Sequence, residues 1–222
     1  MNRFNADWRN YSATRWVTTI YGILVGAAGI EHGIFEVLQG NIPTEGIMID
    51  AIGPDYRFWP GAGERALTLI PNYLFTGIVA IVVGLLAVIW SIGYVERKYG
   101  ASILTILLLT LFLVGGGFAP IFMSLFACLA ATRVNQPLNW WRSHFPGKNL
   151  LAKLWPWILI FYTIVFVLDI GIQIFGIPLD VDTTTALVWN LAYMMLALMP
   201  VVVIVGFTKD VAESSANQKD VQ

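Results

Sequence analysis

Long apolar runs alternate along the chain with short charged or turn-forming stretches. The first runs from Thr14 to about Leu38, the second from about Leu67 to Ile92, and the third from Ala101 to Thr132. Two more cover about Leu154 to Phe175 and Thr184 to Gly206. Runs of this length and polarity predict membrane-crossing α-helices. Asp182 or Thr183 is the expected N-cap of the last one. The loop 41–65 is rich in Gly, Pro and acids and holds the aromatic stretch GPDYRFWPG, expected to anchor at headgroup level rather than to act as a lid.

The third run decides the number of crossings. As one helix it would be roughly 48 Å long, against a hydrocarbon core of about 30 Å. The breaker cluster GGGFAP, Gly115 to Pro120, falls in its middle. If the run crosses twice and the N-terminus is cytoplasmic, only Arg57 and Arg65 of the 13 Lys and Arg residues lie outside. If it crosses once, Arg133, Arg142, Lys148, Lys153, Lys209 and Lys219 join them. The positive-inside rule selects the double crossing.

The predicted fold is therefore all-α: a polytopic integral membrane helical bundle of six spans, multi-pass in the cytoplasmic membrane, with both termini cytoplasmic. The third and fourth spans form a short hairpin broken at Gly115–Pro120. Residues 1–13 make a cytoplasmic tail, 14–208 a single membrane domain, and 209–222 a polar tail expected to be disordered.

Composition supports the class. The chain is 57% hydrophobic and only 12% charged, too few charges to cover a soluble surface. A net charge of −1 argues against a nucleic-acid partner. The single cysteine, Cys128, excludes disulfide chemistry within one chain. The only histidines, His32 and His144, are predicted at opposite membrane faces and cannot together ligate one haem. The first apolar run contains Glu and His and lacks a following cleavage site, so it is expected to be retained as a span. The chain lacks the cysteine pairs of the disulfide-generating membrane oxidoreductases and the Glu-Glu-x-x-x-Arg motif of the prenyl-protein membrane endopeptidases.

The first span carries the most informative chemistry. At about 100° per residue, Gly22, Gly26, Gly29 and Gly33 share a stripe with Glu36. Small residues at that spacing predict close helix packing. His32 is one turn from Glu36 and can approach the same point, whereas Glu31 faces roughly 180° away from the stripe. Unless Glu31 snorkels or is protonated, that geometry requires the span to be enclosed on two sides, which makes it a candidate central helix.

In the six-span arrangement the outer half of the membrane also holds Asn72, Asp169, Gln173, Asn190 and Tyr193. Ionisable groups in a bilayer by default mark a functional site. The candidate pocket residues are accordingly Glu31, His32, Glu36, Asn72, Asp169, Gln173, Asn190 and Tyr193. Three readings stay open. The leading one is binding or translocation of a small solute or cation, with proton coupling through Glu36, His32 and Asp169. Another is a metal-dependent membrane enzyme with His32, Glu36 and Asp169 as ligands and Glu31 nearby. The last is a structural network in an accessory subunit whose glycine stripe docks a partner span or a second copy of the chain. The sequence names no cofactor; lipid is the one certain partner of such a chain.

Overall fold

The computed structural model describes residues 11–118, 120–144 and 148–219. It is all-α, 72% helical, with seven α-helices among the described residues. α1 (Ala13–Gln39), α2 (Tyr73–Gly93), α6 (Lys148–Phe175) and α7 (Val181–Lys219) are the long ones. α3 (Gly100–Leu113), α4 (Pro120–Ala131) and α5 (Asn139–His144) are shorter. Among the described residues four helices are long and apolar enough to cross a membrane, which suggests a membrane protein. α3 and α4 have 14 and 12 residues; at 1.5 Å per residue they reach roughly 21 and 18 Å.

α1 is central: it touches α2, α3, α4, α6 and α7. Its glycines set the closest approaches. Gly26 lies against the Gly84 carbonyl of α2, and Gly33 against that of Gly77, with the reciprocal contacts made from α2. Gly29 faces Leu111 of α3. Van der Waals contact of this kind holds helices together where lipid removes the hydrophobic drive. Around α1 the core is Val17, Tyr21, Val25 and Ala28 packed on Leu104, Leu108, Leu111, Met123 and Ala127. Tyr21 donates to the Met199 carbonyl at 3.0 Å, joining α1 to α7.

The helix ends are capped from within the chain and from afar. Ser12 Oγ accepts from Arg15 N at 3.2 Å. The Asp210 carboxylate of α7 accepts from Ala13 N at 2.7 Å and Thr14 N at 2.9 Å, so α7 satisfies the first turn of α1. Asp210→Ala is expected to lower stability by about 1.5 kcal/mol and Asp210→Asn, which keeps an acceptor, by less; unfolding midpoints in mild detergent measure both. At the start of α7 the cap is Asp180, which accepts from Thr183 N at 2.9 Å. This replaces the expected Asp182 or Thr183, both of which lie inside the helix. Its hydrogen bonds with Thr183 hold the Asp180 carboxyl below its ordinary range. α7 continues through the polar segment to Lys219.

The second apolar run begins as sheet, not helix. Met48–Asp50 (β1) pairs antiparallel with Arg65–Leu67 (β2), and α2 starts only at Tyr73. Pro71 has no N–H to offer a helix, and Asn72 Oδ1 accepts from Phe75 N at 3.2 Å as the N-cap. The other edge of β2 takes up the glycine break. Gly115 N donates to Leu67 O at 2.9 Å, and Phe118 N to Arg65 O at 3.1 Å. Thr76 Oγ1 reaches Val114 O at 2.8 Å. The hairpin, the glycine break and the end of α1 therefore meet at one place.

Candidate functional site

At that place α1 presents His32 and Glu31, and the hairpin presents Glu64. His32 Nε2 lies 2.7 Å from Glu64 Oε2 and 3.8 Å from Glu31 Oε2. The potential ligand atoms of the three residues all fall within 4.8 Å of one another, and the imidazole is buried. Glu64 immediately precedes β2, so pairing of β2 with both β1 and the glycine break fixes where its carboxylate stands.

Glu36, one turn further along α1, is fully buried. Neither of its carboxylate oxygens has a hydrogen-bond partner among the described residues, nor has His32 Nδ1. Two glycines wall the site. A Cβ on Gly117 would stand 2.8 Å from His32 Nε2, and one on Gly115 would run into the Glu36 carboxylate. Both have positive φ, +90° and +96°, a conformation that side-chain-bearing residues rarely adopt. GGGFAP is thus more than a helix breaker: its backbone passes directly over the two ionisable groups.

Glu31, which the helical period turns away from the glycine stripe, does not face lipid. It lines a small recess with Ile52, Gly63, Glu64, Ile170, Gln173 and Ile174, under the loop and beside α6. α1 is enclosed on that side too.

Asp169 and Gln173 of α6 adjoin the cluster through Glu64. Gln173 Nε2 donates to Asp169 Oδ2 at 2.7 Å, while Asp169 Oδ1 has no partner among the described residues. Both residues and Glu64 line a cavity of about 250 Å³ between α4, α6 and α7. Tyr193 is on the rim of this cavity, 63% exposed. Asn190 is exposed and does not line it. Asn72 caps α2 and donates to Asn41 Oδ1 at 2.8 Å, away from the cluster. Of the residues named from the sequence, Glu31 and His32 therefore stand together with Glu36 beside them, Asp169 and Gln173 lie next door, and Asn72 and Asn190 point elsewhere.

Glu64 was not legible in the sequence. It lies in a loop between Gly63 and Arg65, and only strand pairing brings it to His32. The aromatic loop serves the same end. Trp59 Nε1 donates to Gln173 O at 2.9 Å, and Phe58 packs on Phe175 with ring centroids 5.2 Å apart. The expected headgroup anchor is therefore fastened to the end of α6, above the cluster.

One histidine nitrogen and several carboxylate oxygens make a donor set suited to divalent first-row cations, with no thiolate to favour softer ions. The buried Glu36 carboxylate, without a hydrogen-bond partner among the described residues, also favours a cation electrostatically. No known protein family, curated protein or solved structure matches the chain.

Proposed function

We propose that this is a multi-pass protein of the cytoplasmic membrane that binds a small cation at Glu31, His32 and Glu64, with Glu36 as a reserve ligand, as a step in moving it or a coupled solute across the bilayer. The observation that carries the reading is the convergence of three ligand atoms within 4.8 Å from two separate segments, next to a fully buried carboxylate with no hydrogen-bond partner among the described residues. The proposed topology is six crossings with both termini in the cytoplasm, α3 and α4 supplying the short pair. Loop charge supports it.

The site is tested with the metal alone. Purified protein incubated with Mn²⁺, Fe²⁺ or Zn²⁺ and then desalted is expected to retain near-stoichiometric metal by elemental analysis. His32→Ala is expected to lose it, and Glu64→Gln to weaken binding by about tenfold or more. Wild-type protein that stays metal-free after loading would overturn the assignment. Movement is read separately, as uptake of the retained cation into proteoliposomes.

For topology, Ser143→Cys in a Cys128→Ser background is expected to react with an impermeant maleimide only after the cytoplasmic face is exposed. Labelling of intact cells would refute the six crossings.

A second reading is favoured by one observation: the apolar cavity shares Glu64 with the cluster. A metal-dependent membrane enzyme would need just such an adjoining compartment for its substrate. Metal retention without uptake would favour it.

A further inference from the structure

The cavity between α4, α6 and α7 has a chemistry of its own. Its inner walls are Met123, Phe166, Met195 and Met199, all buried. Methionine side chains adapt to ligands of irregular shape. At about 250 Å³ it exceeds the roughly 150 Å³ engineered cavity that accommodates benzene. Four other lining residues, Phe122, Trp189, Tyr193 and Leu196, are 44–63% exposed. The cavity thus reaches the surface of the bundle on an apolar flank, where a bilayer would supply the occupant.

Its polar groups are few and of one sign. Asp169 and Glu64 are the acidic groups, Gln173 the amide, and no Lys or Arg lines the cavity among the described residues. Asp169 is 1% exposed, and its Oδ1 has no donor among the described residues. A buried acceptor without a partner is destabilising, so a ligand carrying a donor would gain at this atom. A larger recess toward the loop shares Glu64, Phe122, Gln173, Trp189 and Ala192. It contains Arg65, whose Nε is paired with Asp50 Oδ1 at 3.0 Å.

We infer that this cavity binds a single-chain amphiphile entering from the bilayer, its alkyl chain among the methionines and a cationic, hydrogen-bond-donating head on Asp169. The charge complement selects an ammonium over a carboxylate head. Bulk lipid or detergent chains, which any apolar flank attracts, would show no such selection. The inference shares Glu64 with the proposed cation site but is separable from it, because Asp169 and the methionines are not in the His32 cluster.

The test uses a dodecylammonium probe with a diazirine near the chain end, photolysed with the full-length protein in nanodiscs and mapped by mass spectrometry. Adducts are expected at Phe166, Met195 and Met199, competed by dodecylammonium and not by dodecanoate. Asp169→Asn, nearly isosteric, is expected to reduce them by about tenfold, the loss of one charge-assisted hydrogen bond. Ala192→Phe, which adds bulk at the cavity wall and leaves the Asp169 charge in place, is expected to do the same. His32→Ala should keep the adducts while losing any metal, so failure of the two readings can be told apart. Adducts on these residues no denser than on outward-facing Ile106 and Leu125, or equal competition by both head groups, would overturn the proposal. So would labelling unchanged in both Asp169→Asn and Ala192→Phe.

Discussion

Gly33→Leu is expected to destabilise the bundle by about 3 kcal/mol, at the upper end of the usual cost of overpacking. A Cβ at this position would stand 2.6 Å from the Gly77 carbonyl oxygen, 2.8 Å from Ile81 Cγ1 and 3.0 Å from Ile81 N. Two of those atoms are backbone of α2, which cannot rotate aside as a side chain could. The helices must part, and contact is lost along the whole α1–α2 interface. The site suffers with it, since Gly33 follows His32 directly in the chain. The control is Gly171→Leu on α6, where a Cβ would meet nothing within 4 Å; it should be neutral or slightly stabilising, because leucine is the better helix former. Equilibrium unfolding in mixed micelles measures both. Equal midpoints for the two variants would refute the close packing of α1 on α2.

Arg15→Met is expected to have a comparable effect, about 3 kcal/mol. Arg15 belongs by sequence to a basic N-terminal flank, yet it is 1% exposed. Its Nη1 donates to Ser91 O at 2.5 Å and to Thr19 Oγ1 at 2.7 Å. Its Nη2 donates to Ile92 O at 2.7 Å, and Nε is 3.8 Å from Glu96. The guanidinium thus closes the C-terminal end of α2, where helix carbonyls lack internal donors and the dipole favours a cation. Methionine keeps the volume but leaves the Ser91 and Ile92 carbonyls without this donor. Arg15→Lys keeps the charge yet cannot span both carbonyls with a planar fork, so an intermediate loss is expected. Unfolding midpoints that follow Arg, then Lys, then Met would support this role. A wild-type midpoint in Arg15→Met would reduce Arg15 to a solvated flank.

Arg15 and Glu64 show where reading along the chain ran out. Both are charged residues near the ends of apolar runs, where the default expectation is contact with water or headgroups. Nothing local distinguishes them from Arg9 or Glu45. Arg15 acquires its role from the end of α2, 76 residues away in sequence. Glu64 acquires its role from a strand register that puts it at His32, 32 residues away. α2 starts later than the apolar run for a related reason. Thr68 and Thr76 share a helical period, but Thr68 is extended and bonds Thr76 across a turn at 2.6 Å. Proline at 71 held the evidence for that boundary.

The amino-acid sequence by itself determined that this is an α-helical chain built for an apolar surround, because charge is too scarce for a soluble surface and the apolar runs are span-length. It also placed His32 and Glu36 one turn apart on neighbouring positions of one helix face and turned Glu31 away from them, because residues a few apart on a helix have a set angular relation. Only the tertiary structure decided what those groups face. The Glu64 carboxylate, the backbone of Gly115 and Gly117 and the Asp169 cavity reach them through strand pairing and helix packing. Those long-range contacts depend on which surfaces fit, and no local period encodes that fit.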